Sequence, residues 1–128
     1  MVAGLYRRTM EEGFGGLTEL RYDHLGWGDA EVAELMATLR EVPCAGVVSL
    51  DLSWNEELRS GEALAGIGQL TGLRRINLSV CTSLTSLPDT IGRLSALKEI
   101  NLMYCRGLAS LPDSIGQLSA LQKINLQD

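Results

Sequence analysis

Leu84 to Gly107 reads LTSLPDTIGRLSALKEINLMYCRG, and Leu108 to Asp128 reads LASLPDSIGQLSALQKINLQD, so the second stretch restates the first after 24 residues. A fixed period in the twenties, with leucine or isoleucine at recurring offsets, marks a chain of stacked units, each burying its apolar edge only against its neighbours. Aligned on LxxLxLxx(N/C)xxL, the units start at Leu17, Val47, Leu73, Leu97 and Leu121. Four complete units and the opening strand of a fifth therefore fill residues 17–128, and residues 1–16 stand apart as a cap or partly disordered lead-in.

Within each unit a short run alternates apolar and polar residues with period two. This places parallel strands near Glu19 to Tyr22, Ser49 to Leu52, Arg75 to Leu78, Glu99 to Leu102 and Lys123 to Leu126, apolar members inward. Between the first two, Val32, Leu35, Met36 and Leu39 recur at offsets of three and four, so Asp29 to Arg40 is expected to be a helix with Asp29 as its N-cap and Pro43 beyond its end. The later returns open with Leu-Pro-Asp, where proline disfavours helix at the residue before it, and are expected to be turns with a short 3₁₀ segment. Helices pack about 8–10 Å apart and strands about 4.8 Å apart, so curvature should relax from the first unit to the last.

The residues Leu97, Ile100, Leu102, Cys105, Leu108, Leu111 and Pro112 match the leucine-rich-repeat consensus position by position, and the chain resembles a leucine-rich-repeat protein over about seven-eighths of its length. Units from Leu73 onward are similar to the LPxxIGxLxxL class of plant-type disease-resistance receptors and related intracellular signalling proteins. The first unit, LTELRYDHLGWGDAEVAELMATL, resembles the longer ribonuclease-inhibitor-like repeat, with Leu25 where that family places asparagine or cysteine. The resemblance implies an α/β fold: a right-handed solenoid with a parallel concave sheet and helix, 3₁₀ or turn segments on its convex side. It also implies ligand sensing or regulatory scaffolding through protein contacts.

Composition narrows the partners. Hydrophobic residues make up 45% of the chain with a single Phe, and no apolar run approaches the roughly 18 residues of a membrane span. A net charge of −5 argues against a phosphate backbone as the main ligand. The first 16 residues lack the apolar core of a secretory signal and carry Glu11 and Glu12, which a transit peptide avoids. Three cysteines without a framework spacing fit a reducing compartment. A cytoplasmic, membrane-free protein that does not bind nucleic acid is the expectation.

Little in the chain points to catalysis. Cys81 and Cys105 share a repeat slot with Asn55, whose inward polar side chain would satisfy loop backbone groups; a disulfide between them is geometrically conceivable but out of place in a reducing compartment. Cys44 reads as a small buried apolar residue. One histidine and no CxxC pair fall short of a metal site. His24 beside Asp23 is expected to point to the opposite face of the strand, and Trp27 to point inward. The glycines around Phe14 and Trp27 lack the lysine of a phosphate loop. No cofactor and no enzyme activity are expected.

What remains is a surface. The outward strand positions and those just after them form rows: Glu19, Arg21 and Asp23; Ser49, Asp51, Ser53 and Trp54; Arg75, Asn77 and Ser79; Glu99, Asn101, Met103 and Tyr104; Lys123, Asn125 and Gln127. Arg21, Asp51, Trp54, Arg75, Asn77, Glu99, Asn101, Met103, Tyr104, Lys123 and Asn125 are the candidate contacts for a protein partner, although every repeat also has solvated positions there. Trp54, Tyr104, Met103 and Arg75 are of types enriched at interface centres. A second candidate is the last strand, where Leu121, Ile124 and Leu126 border an unpaired edge that a second copy of the chain could cover.

Overall fold

In the computed structural model, which describes residues 19–41 and 46–127, five three-residue strands lie side by side: β1 (Glu19–Arg21), β2 (Ser49–Asp51), β3 (Arg75–Asn77), β4 (Glu99–Asn101) and β5 (Lys123–Asn125). All pair in parallel and in chain order. The register aligns Leu20, Leu50, Ile76, Ile100 and Ile124 in one file. The first four of these are buried and Ile124 is half-buried. The expected lead-in at 1–16, the unit start Leu17, and Pro43 and Cys44 lie outside the described residues.

Each strand begins where the alternation places it and ends one residue sooner. Tyr22, Leu52, Leu78 and Leu102 still donate their backbone N–H to the next row, at 2.8, 2.9, 2.9 and 2.8 Å. Beyond them the chain turns, because the residue two further on sits in the left-handed region: φ is 59° at His24, 62° at Trp54, 58° at Val80 and 60° at Tyr104. That turn sends each unit away from the sheet. Tyr22, Leu52, Leu78 and Leu102 remain inward and form a second buried file behind the first.

The returning segments form the other layer. Helix α1 spans Asp29–Arg40 and buries Val32, Leu35, Met36 and Leu39, the apolar stripe expected of it. Its N-cap is Gly28, not Asp29: the Glu31 carboxylate accepts the Gly28 N–H at 2.7 Å. Asp29 instead reaches the next unit, where its Oδ1 accepts the N–H groups of Arg59 at 2.8 Å and Ser60 at 3.1 Å. A carboxylate that ties two units together is not available to cap its own helix.

The second return is a 3₁₀ segment, Gly61–Gln69, capped by the Ser60 hydroxyl, which accepts the Glu62 N–H at 3.1 Å. The third and fourth, Asp89–Arg93 and Asp113–Gln117, follow Pro88 and Pro112, whose φ of −74° and −68° hold the entry extended. These segments pack tightly against their neighbours. A Cβ added at Gly61 would lie 2.6 Å from the Ser86 carbonyl oxygen, and one at Gly66 would lie 2.8 Å from Met36 Cβ.

The core runs continuously from Leu20 to Leu118 between sheet and returns. It thins toward the last unit: Leu108, Leu111, Ile115, Leu121 and Ile124 are only partly buried, and Leu126 is 54% exposed. Among the described residues no helix is long and apolar enough to cross a membrane.

Candidate interaction face

Opposite the core, the strands present side chains in files that run across the sheet. The first file is Glu19, Ser49, Arg75, Glu99 and Lys123, brought into line by the register. All five are exposed or half-exposed. Arg75, Glu99 and Lys123 set charges of alternating sign on adjacent strands, where opposite charges attract across a pair. A shallow depression of about 240 Å³ lies here, lined by Glu19, Ser49, Asp51, Arg75, Ile76, Asn77, Glu99 and Asn101.

The next file consists of Arg21, Asp51, Asn77, Asn101 and Asn125, all candidate contacts, and the structure gives the last four a second task. Asp51 Oδ1 accepts the Ser53 N–H at 2.9 Å, Asn77 Oδ1 that of Ser79 at 3.0 Å, Asn101 Oδ1 that of Met103 at 3.0 Å and Asn125 Oδ1 that of Gln127 at 3.1 Å. These bonds start the turn after each strand, which short polar side chains do well. Arg21 cannot accept such a bond; its Nε instead lies 3.6 Å from Asp23 Oδ1. Ser53, expected on the face, is only 4% exposed, with its hydroxyl donating to Asp51 Oδ1 at 2.6 Å. A hydroxyl so held belongs to the turn.

A third file stands at the left-handed positions: His24, Trp54, Val80 and Tyr104. Residues other than glycine cost about 1–2 kcal/mol each in that region, and valine is among the least suited. The aromatics at these positions are also partly exposed, Trp54 at 46% and Tyr104 at 39%. The rings are partly ordered by neighbours. His24 stacks on Trp54 with centroids 5.0 Å apart and planes 17° from parallel, and the Arg106 guanidinium carbon lies 5.6 Å from the Tyr104 ring centroid.

The side chains of Asp23 and His24 were expected to diverge, yet Nδ1 of His24 lies 2.9 Å from Oδ2 of Asp23. The divergence rule applies within a strand, and both residues lie past the end of β1 where the backbone reverses. The His24 hydrogen bond, then a bond from the backbone of Asp23 itself and the nearby Arg21 charge, lower the Asp23 carboxyl below its ordinary 3.8 against a smaller opposing effect of burial.

Beneath the turns lies the file Asn55, Cys81 and Cys105. Asn55 is fully buried. Its Oδ1 accepts the N–H groups of Leu25 at 3.2 Å and Trp27 at 3.0 Å, and its Nδ2 donates to the carbonyls of Tyr22 and Leu52, each at 2.9 Å. The asparagine of the second unit thus completes the first unit's turn, which leaves Leu25 free to point outward at 41% exposure. Cys81 Sγ donates to Leu52 O at 3.3 Å and Cys105 Sγ to Leu78 O at 2.9 Å, the equivalent carbonyls one unit back. Burial pushes the Cys81 thiol up to about 12. Trp27, expected inward, is buried against Tyr22 with ring centroids 5.2 Å apart.

Sequence reasoning missed the residues just before the strands. Arg74, Lys98 and Gln122 line a second depression of about 350 Å³ together with three of the expected contacts, Arg75, Glu99 and Lys123. Its signal was present in the doublets Arg74-Arg75, Lys98-Glu99 and Gln122-Lys123, each ahead of Ile-Asn-Leu. His24 and Val80 were missed because their slot is defined by a backbone angle. No protein-family model matches the chain, and no curated protein matches it.

Proposed function

We propose that the chain is a leucine-rich-repeat protein, a right-handed solenoid whose exposed sheet face binds a protein partner without catalysis. The observation that carries this reading is the in-register grid of outward side chains on five parallel strands, flanked by exposed Trp54 and Tyr104. Strands about 4.8 Å apart hold these groups in place, so little ordering entropy is lost when a partner docks. Parallel strands joined by crossovers are right-handed in about 98% of cases, which supports the handedness. As in the resemblance, the face would serve as the recognition segment of a larger signalling or receptor-like protein.

The test is affinity capture of an interacting protein, comparing the wild-type chain with Trp54→Ala/Tyr104→Ala and with Arg75→Glu/Lys123→Glu. All four positions are exposed, so circular dichroism should be unchanged while capture falls at least tenfold with either pair. Capture that survives both pairs would rule out this face.

A second reading is self-assembly through the last unit, favoured by the exposure of Leu126 and the half-burial of Leu121 and Ile124 at an edge that pairs with no further strand among the described residues. Light scattering over a range of concentrations tests it. An oligomer that Ile124→Lys converts to monomer supports this reading, and a concentration-independent mass near 13.9 kDa removes it.

A further inference from the structure

We propose that the line Trp54, Val80, Tyr104 docks a proline-rich segment of a protein partner in the polyproline II conformation, with a basic residue of that segment at the Trp54 end. This rests on the protein-binding reading of the same face.

The first support is that the aromatics are offered outward at a cost. Trp54 and Tyr104 occupy left-handed backbone positions that glycine or asparagine would fill with less strain, and both stay partly open to solvent, at 46% and 39%. The partners that these rings have within the fold, His24 stacked on Trp54 and Arg106 over Tyr104, are themselves exposed side chains. A ligand that stacks on them supplies the reason.

The second support is spacing. Trp54 follows β2 and Tyr104 follows β4, with Val80 after the intervening β3. Two strand spacings separate equivalent positions by about 9.6 Å. A polyproline II helix rises about 3.1 Å per residue with three residues per turn, so residues i and i+3 stand on one face about 9.3 Å apart. Prolines at i and i+3 would meet Trp54 and Tyr104, and Val80 would lie under the chain between them. An extended strand repeats its face every two residues, at about 6.6 and 13 Å, and falls out of phase. An α-helix offers about 6 Å at i+4 and about 10.5 Å at i+7.

The third support is backbone chemistry. The N–H groups of Trp54, Val80 and Tyr104 already donate to Ser79, Met103 and Gln127 at 2.9, 2.7 and 2.8 Å. A ligand crossing these turns therefore gains no ladder of backbone bonds, as an added strand would need. Polyproline II requires none, and the indole N–H of Trp54 can donate to one of its exposed carbonyls.

Charge sets the direction. Glu56 and Glu57 are exposed just past Trp54, and Asp23 and Asp51 are half-buried in the first two rows; Arg59 lies 3.7 Å from Glu57 and Arg21 3.6 Å from Asp23, so four carboxylates face two guanidinium groups and the surplus is acidic. The Tyr104 end carries Arg106. A lysine or arginine on the ligand is thus favoured beside Trp54 and disfavoured beside Tyr104.

The chain has two tryptophans; Trp27 is buried, so emission changes on ligand addition report Trp54. The probe is a synthetic ten-residue peptide with prolines at i and i+3 and an arginine at one end. Controls carry the same residues with prolines at i and i+2, or are an amphipathic helical peptide of equal charge. The expected result is a saturable emission shift with the in-phase peptide. Affinity should be at least tenfold weaker for the out-of-phase peptide and for Tyr104→Ala, and, by anisotropy of labelled peptide, for Trp54→Ala. A Glu56→Lys/Glu57→Lys chain should lose several-fold affinity for the arginine-bearing peptide and little for a peptide without arginine.

Equal affinity for in-phase and out-of-phase peptides, or no saturable shift, overturns the proposal; tighter binding of the helical peptide assigns the line to a helix instead. If the peptides fail while protein capture still requires Trp54 and Tyr104, only the ligand class is wrong. Failure of both experiments removes the protein-binding reading itself.

Discussion

Asn55 is the side chain whose loss the structure prices most clearly. Its amide makes four hydrogen bonds of 3.2 Å or less to backbone groups of two successive units, with Leu25, Trp27, Tyr22 and Leu52, and a longer one of 3.5 Å to the Ser53 carbonyl. At about 0.5–1.5 kcal/mol net for each bond, Asn55→Ala costs about 2–6 kcal/mol. The centre of that range, about 4 kcal/mol, is reasonable because the losses differ in kind. The Leu52 carbonyl keeps the Cys81 thiol, and Leu25 is exposed enough for its N–H to find water. The Trp27 and Tyr22 bonds lie in buried surroundings, where replacement by water is hardest.

The assay is urea unfolding followed by circular dichroism. For a slope of about 2 kcal/mol per molar, within the range for small proteins, the midpoint falls by about 2 M. Asn55→Cys separates donor from acceptor. A thiol in this slot donates to the carbonyl one unit back, as Cys81 and Cys105 do, but accepts poorly. It should recover about 1–2 kcal/mol relative to alanine, and it keeps the comparison measurable if the alanine chain is largely unfolded. A cost below about 1 kcal/mol for Asn55→Ala would refute the claim that one side chain holds two turns, and equal stability of the cysteine and alanine variants would refute the equivalence of the three slots.

Three further outcomes can be checked by unfolding or labelling. Val80→Asn should stabilise by up to about 1 kcal/mol, because asparagine tolerates the left-handed region better than a β-branched residue; a lowered melting temperature would show that the half-buried valine is retained for packing. Gly61→Ala should destabilise by about 1–3 kcal/mol through the clash with the Ser86 backbone, whereas Gly116→Ala, with nothing within 4 Å of the new Cβ, should be neutral or stabilising by about 0.4–1 kcal/mol. Cys81 should resist alkylation in the folded chain at pH 8. Its folded value near 12 exceeds the ordinary 9.0, so the unfolded state releases its proton first and stability contributed by the thiol falls as pH rises from about 9 to 12. A Cys81→Ala chain should show a shallower loss over that window, and an identical slope would contradict the burial argument.

The strands, α1 and the inward file were legible because each depends on local periodicity. Leu20, Leu50, Ile76, Ile100 and Ile124 alternate with polar residues, and Val32, Leu35, Met36 and Leu39 follow a helical stripe; neither pattern needs knowledge of a distant residue. The polar slot shared by Asn55, Cys81 and Cys105 could be read from alignment of the repeats. That Asn55 serves the turn before its own could not, since it joins residues 28 and 30 positions apart. Asp29 shows the same limit: its sequence neighbourhood suits a cap, while its carboxylate is committed to Arg59 and Ser60. Ser53 was assigned to the face by parity, and the turn that breaks the parity turned it inward.

For this chain, then, the sequence alone determined the period, the strand positions, the helical return and the outward side chains within the strands, because repetition and amphipathic alternation are properties of neighbours along the chain. Only the tertiary structure decided what those side chains do. Asp51, Asn77, Asn101 and Asn125 are drawn into turns, while His24, Trp54, Val80 and Tyr104 are lined up by a shared left-handed backbone. Both outcomes depend on where the chain bends after each strand and on which unit lies beside it. Hydrogen bonds between units and positive backbone angles carry no period-two or period-3.6 signature, so they emerge only once the rows are in register.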